Sequence, residues 1–251
     1  TMGALHNGHL SLLQRAKQEN DICICSIFVN PLQFTNKDDF NHYPKSVEND
    51  INYLESIDCD MVFIPSEKEM YPDKKTRLWN FEGLDNNMEG IYRPGYFNGV
   101  AEVVDRLFNN IKPDRAYFGE KDFQQLAIIR QLVKSLAYPI IIVPCETVRE
   151  PNGLAMSSRN LRLTNTERNE ASIIYQALLK AKEMANSYPV EVIKQAIFSK
   201  IENSGEIKVE YFEISDIETL QPLKEINSDR KAVACIAVHI GGIRLIDNIK
   251  I

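Results

Sequence analysis

Residues 21–34, DICICSIFVNPLQF, decide the fold class. The stretch through Val29 is an almost unbroken apolar run, the composition of a strand covered on both faces rather than one lying on a surface. Cys23 and Cys25 stand two apart, so they share a face of that strand and serve there as small hydrophobes. The chain then turns polar at once, with Asn30 before Pro31 and Gln33 between Leu32 and Phe34. An Asn-Pro pair is often nothing more than a turn. A carboxamide among apolar neighbours needs a partner, and a substrate hydroxyl or carboxylate would provide one.

The same alternation continues outward. A helical pattern over 46–57 precedes a short strand at 60–65. A second helix at 100–111 precedes a strand at 115–119, a helix over 122–136 and a strand at 139–146. Strand-like runs alternating with helices predict an α/β fold, a doubly wound parallel sheet with helices on both faces. Ligands in such sheets bind beyond the carboxyl ends of the strands.

The chain beyond 150 reads differently. Helical stretches at 166–187 and 190–203 precede a strand at 207–216 and a strand pair at 231–247 that turns at Gly241–Gly242. That order predicts a smaller α+β domain with antiparallel pairing. Pro151 and Gly153 mark the connecting loop, so we expect one domain over 1–147 and a second over 148–251.

Composition narrows the function. The 251 residues carry 29 Lys and Arg against 35 Asp and Glu, a net charge of −6, which argues against a nucleic-acid-binding surface. The five cysteines form no C-x-x-C pair and no zinc-ligand spacing, a pattern that suits a reducing compartment. No apolar run approaches the ~18–20 residues of a membrane span, and no signal peptide is visible. We therefore expect a cytoplasmic protein without a membrane partner, and we expect its natural start to lie ahead of Thr1.

Four further segments carry candidate chemistry. In TMGALHNGHL (1–10), His6 and His9 flank Gly8 just before an apolar helical pattern of Leu10, Leu13 and Ala16. A helix N-terminus there would offer free backbone N–H groups to a phosphate, and two imidazoles would add donors. A surface helix that merely carries histidines fits the ten residues equally well. In YFGEKDFQQL (117–126), Gly119, Glu120, Lys121 and Asp122 follow a short strand and open a helix. Lys121 there is either a point charge for a polyphosphate or a solvated neighbour of a capping Asp122. Gln125 lies one turn further along that face. In GLAMSSRNLRL (153–163), Met156, Ser157, Ser158 and Arg159 make either a mobile phosphate clamp or an ordinary surface loop. In RPGYFNGV (93–100), Arg93 and Tyr96 sit in a Gly/Pro-rich loop. The P-loop, dinucleotide and G-x-S-x-G fingerprints are absent.

Taken in order, TMGALHNGH, FVNPLQF, FGEKDFQQL and REPNGLAMSSRN closely resemble the pantoate–β-alanine ligase (pantothenate synthetase) family over essentially the whole chain. HNGH matches the H-x-G-H signature of a broader nucleotidyltransferase superfamily, and MSSRN is similar to its mobile KMSKS-like loop. The resemblance implies a Rossmann-like first domain and an ATP-dependent condensation of pantoate with β-alanine. A pantoyl adenylate forms with loss of pyrophosphate, and the amine of β-alanine then displaces AMP.

It further implies that His6, His9 and Lys121 carry the phosphate chemistry, with His9 as proton donor. Met2, Gly3, Ala4, Leu5, Asn7, Gly8, Gly119, Glu120, Asp122, Val148, Met156, Ser157, Ser158 and Arg159 would line ATP. Gln33 and Gln125 would hold pantoate, with Asn30 supporting the turn. Mg2+ would accompany the phosphates, and the protein would be a homodimer. Two departures stand out. The family reads RPGHF where this chain has Tyr96, which bears on the second step. It also places a strand and a helix ahead of the first residue here.

Two other readings use the same H-x-G-H site. A nucleotidyltransferase acting on a phosphorylated alcohol would need a more basic acceptor pocket than Gln33 and Gln125 provide. A non-catalytic nucleotide-binding protein would bind ATP and release no pyrophosphate.

Overall fold

The computed structural model describes residues 3–34, 37–73, 76–226 and 231–251. The chain begins with α1 (Asn7–Glu19), β1 (Ile24–Ser26), α2 (Lys37–Asn41), α3 (Val47–Glu55) and β2 (Met61–Phe63). Next come α4 (Glu67–Met70), α5 (Glu89–Tyr92), α6 (Tyr96–Ile111), β3 (Arg115–Gly119), α7 (Phe123–Ser135) and β4 (Ile141–Cys145). The remainder is α8 (Asn165–Glu170), α9 (Ile173–Met184), α10 (Val190–Glu202), β5 (Lys208–Asp216), β6 (Ala232–Ile240) and β7 (Ile243–Lys250).

Both early strand pairs are parallel, with helices filling the crossovers that parallel pairing requires. Cys25 stands opposite Val62 in one pair, and Tyr117 opposite Val143 in the other. Among the described residues these are two separate two-stranded pairs rather than one continuous ladder, with α1 packed against β3. The strand expected ahead of Thr1, like Thr1 and Met2 themselves, lies outside the described residues.

Strand β1 is shorter than its apolar run. The Ile27 N–H still reaches the Phe63 carbonyl (2.9 Å), but Phe28 turns into the core beside Tyr71. Asn30 then caps a 3-10 turn over Pro31–Gln33. The helix expected over 166–187 is two helices. At the junction, Ser172 N–H bonds back to Asn169 and Ile174 N–H to Ala171, a tightened turn that buries Ala171 completely.

Separate cores underlie this arrangement. Leu5, Leu10, Leu13, Cys25 and Leu54 pack α1 and α3 against β1. Val100, Val104, Phe108, Ile129 and Leu132 pack α6 against α7. In the C-terminal part Leu178, Ile193, Ile197 and Ile201 of α9 and α10 cover Ile214, Ala234 and Ile236 of the β5–β6–β7 antiparallel sheet. The β6–β7 turn falls at Gly241 and Gly242, both at positive φ (54° and 73°), a conformation glycine adopts without steric cost. A fourth cluster, with Met88 and Phe123 against Tyr211, Leu220 and Val233, joins that sheet to the earlier elements.

Candidate active site

A cleft of about 280 Å³ opens where β1, β3 and β4 end. One end is built on the start of α1. His6 is its N-cap residue, and the Gly8 N–H donates to His6 Nδ1 at 3.1 Å. A Cβ on Gly8 would lie 2.9 Å from that imidazole, so a glycine is what lets the ring fold over the first turn. Because Nδ1 accepts, the proton of a neutral His6 sits on Nε2.

The His9 ring lies 3.9 Å away, centroid to centroid, and its Nδ1 is buried without a hydrogen-bond partner. Burial, then the Lys121 cation, lowers the His6 pKa to about 4. Burial, then the neighbouring imidazole, lowers that of His9 to about 3. Both are neutral at pH 7, so the site presents imidazole donors whose protonation is disfavoured until negative charge arrives.

The backbone leading into this turn is held from α3. Asp50, 2% exposed, accepts the Ala4 N–H at 3.0 Å and the Leu5 N–H at 2.6 Å. Ala4 has φ +50°, a region costly for a residue with a Cβ unless its surroundings enforce it. Ala4 and Leu5 are thus buried scaffold rather than cleft lining, and Asn7 faces solvent. Across the cleft, β3 ends at Gly119 and a 3-10 turn over Glu120–Asp122 carries Lys121 and Asp122 into it. Glu120 points away and pairs with Lys250 at 2.5 Å.

The other end is amide-rich. Asn30, 1% exposed, accepts the Leu32 N–H (3.2 Å) and the Tyr71 hydroxyl (2.6 Å) on Oδ1. Its Nδ2 donates to the Gly99 carbonyl (3.0 Å) and to Gln33 Oε1 (3.1 Å). A Cβ at Gly99 would meet the Leu32 carbonyl oxygen at 2.2 Å, so a glycine there permits this approach of α6 to the turn.

With all its hydrogen-bonding capacity used, Asn30 acts through Gln33 and leaves the Gln33 NH2 end for the cleft. Gln125, also on the cleft wall, accepts the Tyr96 hydroxyl on Oε1 at 2.9 Å. Tyr96 is 6% exposed, and the Arg93 guanidinium lies 3.6 Å from its ring centroid. Burial pushes its hydroxyl pKa up to about 12, so it stays protonated. Arg93 also donates to the Gln33 carbonyl (3.1 Å) and pairs with Glu89 (3.3 Å).

The loop after β4 closes the third side. The Met156 N–H donates to the Val148 carbonyl at 2.9 Å, and Val148 lines the cleft. Met156, Ser157, Ser158 and Arg159 all line it. Ser157 caps the turn by accepting the Arg159 N–H, and buried Ser158 donates to the Ala4 carbonyl at 2.9 Å. Arg159 pairs with Asp39 of α2 at 2.7 Å.

Of the residues expected from sequence, Gly3, His6, Gly8, His9, Asn30, Gln33, Gly119, Lys121, Asp122, Gln125, Val148 and Met156–Arg159 come together here. Met2 lies outside the described residues. Sequence reasoning missed Asp50, Tyr71 and Asp39, and also Tyr43 and Arg244, which line the cleft. Asp50 alone left a sign, an acid four residues before buried Leu54 and so on the inward face of its helix.

Neutral histidines at a helix start, a lysine on the turn after strand β3 and two carboxamides in one cleft define a nucleotide-handling α/β enzyme that also holds a small polar acid. The model of the family "Pantoate-beta-alanine ligase" matches residues 1–250, and the chain belongs to that family. It is 48% identical over 250 residues to the pantothenate synthetase of Bacteroides thetaiotaomicron, covering 100% of this chain and 89% of that one. The pantothenate synthetase of Cytophaga hutchinsonii is 46% identical over 253 residues, with the same coverage of each chain.

Among solved structures, pantothenate synthetase from Thermus thermophilus superposes with a TM-score of 0.92 at 41% identity over 99% of this chain and 90% of that one. A pantoate-beta-alanine ligase from Francisella tularensis complexed with β,γ-ATP and β-alanine gives 0.83 at 40% identity, covering 99% and 86%. The chain is thus an AMP-forming ligase of pantoate and β-alanine, on an α/β scaffold.

Proposed function

We propose that the chain runs its ATP-dependent condensation in this one cleft, with the phosphates at the histidine–lysine end and pantoate at the amide end. The observation that carries the reading is that His6, His9 and Lys121 line the same cavity as Gln33 and Gln125. A pantoate carboxylate oxygen attacks the α-phosphorus of ATP, the bond to the bridging oxygen breaks, and pyrophosphate leaves. The amine of β-alanine then attacks the acyl carbon, and AMP departs as the C–O bond breaks and the amine loses its proton.

Much of the acceleration in such a reaction is positioning and charge stabilisation. Lys121 and the imidazole donors meet charge as it grows on the phosphate oxygens, and His9, neutral until that charge arrives, then becomes able to take up a proton and serve as the proton donor. The Gln33 and Gln125 carboxamides orient pantoate, and Asn30 acts behind Gln33. Gly3, Gly8, the Gly119–Asp122 turn, Val148 and the Met156–Arg159 loop enclose the nucleotide.

Among the described residues no three His, Cys, Asp or Glu side chains converge as a metal site. Mg2+ would accompany the nucleotide, bound mainly by its phosphates as this ion commonly is. We further propose a Rossmann-like nucleotide- and pantoate-binding domain over 1–147 and a smaller α+β domain over 148–251. The self-contained apolar core running from Leu154 to Leu245 supports that division.

A homodimer is what membership of the family suggests. A cytoplasmic setting is supported by the free, mostly buried cysteines. No helix among the described residues is long and apolar enough to cross a membrane.

The test is to follow pantothenate, AMP and pyrophosphate with each of Mg-ATP, pantoate and β-alanine withheld in turn. AMP and pantothenate should form in equal amounts and only with all three present. AMP release that ignores β-alanine would overturn the proposal.

A further inference from the structure

The C-terminal strand reaches across to the nucleotide turn through one side chain. Asn248 of β7, 7% exposed, donates from Nδ2 to the Glu120 carbonyl at 2.9 Å and to the Lys121 carbonyl at 2.8 Å. Both partners are carbonyl oxygens, so only the NH2 end of the carboxamide satisfies them and its orientation is fixed.

The anchor itself is rigid. Asn248 pairs in register with Cys235 of the central strand β6, and its N–H is taken by Asp247 Oδ1 at 2.8 Å. Asp247 is in turn gripped by both terminal nitrogens of Arg149, at 2.6 and 3.0 Å. The turn being held is weak by comparison. It is a three-residue 3-10 element, a conformation with poor internal hydrogen-bond geometry. The Lys250–Glu120 pair also reaches it from β7, but Lys250 is half exposed and such pairs contribute little.

We infer that Asn248 is a positioning residue for Lys121: it clamps the peptide carbonyls on both sides of the Lys121 Cα and so sets where the ammonium meets the phosphates of ATP. This rests on the phosphate role proposed for Lys121. It makes the nucleotide end depend on a residue 127 positions away, in the part of the chain that also carries the Met156–Arg159 loop.

The test uses the full chain with Asn248→Ala, Asn248→Ser, Lys121→Ala and the Asn248→Ala/Lys121→Ala double variant. Each is followed by steady-state kinetics in all three substrates, by thermal melting and by NMR titration of His6. Two lost hydrogen bonds at a positioning site should lower kcat/KM for ATP on the order of tenfold. KM for pantoate should stay within about twofold, because Gln33 and Gln125 stand on other elements. The His6 pKa, held near 4 partly by Lys121, should rise in Asn248→Ala in the same direction as in Lys121→Ala. In the double variant Asn248→Ala should add less than about twofold to the loss. Asn248→Ser, which keeps a single shorter donor, should fall between wild type and Asn248→Ala.

An unchanged kcat/KM for ATP would overturn the inference. So would a uniform rise in all KM values with a lowered melting temperature and an unmoved His6, or full additivity in the double variant. If Asn248→Ala fails to fold, Asn248→Ser decides by the same readouts. If Lys121→Ala keeps full activity, it is the role of Lys121 that fails. The His6 titration still reports whether Asn248 places that side chain.

Discussion

The two ends of the cleft are built on opposite plans. At the amide end each functional group is held by another. Gln33 is fixed by Asn30, which is fixed by backbone at Leu32 and Gly99, and Gln125 meets a buried tyrosine hydroxyl. At the phosphate end His9 Nδ1 has no partner, and two imidazoles are pushed towards neutrality by burial and a nearby ammonium. The first end is organised for a ligand whose shape and polar pattern do not change until the acyl carbon reacts. The second is left incomplete, so that its interactions reach full strength only when phosphate charge is present, the condition for favouring a transition state over a ground state.

The contrast orders the consequences of substitution. Lys121→Ala removes the only ammonium on the cleft wall among the described residues, and kcat should fall about 10²–10³-fold, the usual scale for a lost charge-stabilising donor. Quenched-flow measurement of pyrophosphate release checks this, and a fall below about tenfold would merge the two ends into one plan. Tyr96→Phe removes one hydrogen bond from Gln125 and keeps the ring under Arg93. At about 0.5–1.5 kcal/mol for such a bond, KM for pantoate should rise roughly 2- to 10-fold, with KM for ATP unchanged. Because the family resemblance implies a histidine where Tyr96 stands, Tyr96→His sharpens the comparison: β-alanine kinetics that improve while adenylation holds would place its effect in the second step.

The smallest expected effect is on stability. Unfolding lets His6 and His9 titrate at the ordinary 6.5 rather than about 4 and about 3. The unfolded chain therefore binds more protons between those values, so their contribution is complete above pH 6.5 and drains away as pH falls through about 4 and 3. Chemical denaturation from pH 7 to 4.5 should show a shallower loss in the His6→Gln/His9→Gln variant than in wild type.

Legibility in the sequence followed the range of the interactions. Strand β3 appears where its apolar run predicts, and the Gly241–Gly242 turn follows from local backbone chemistry. The segments that supply His6, Gln33, Lys121 and Arg159 were readable because each carries its own short motif. The supports were not. Asp50 reaches back 46 residues to Ala4, and Arg159 pairs across 120 with Asp39. Neither pairing has a local period that would announce it. Asn30 was readable as a turn residue, yet the exhaustion of its hydrogen bonds by Tyr71 and Gly99 depends on packing of α6 that no window of sequence contains.

The most direct measurement is pantoate-dependent exchange of labelled pyrophosphate into ATP, without β-alanine, by wild type, Lys121→Ala and Tyr96→Phe. Wild type should exchange only when pantoate is present, Lys121→Ala should lose exchange at every pantoate concentration, and Tyr96→Phe should recover the wild-type rate at saturating pantoate. Exchange that survives Lys121→Ala, or that Tyr96→Phe abolishes even at saturation, would contradict the separation of the phosphate end from the acid end.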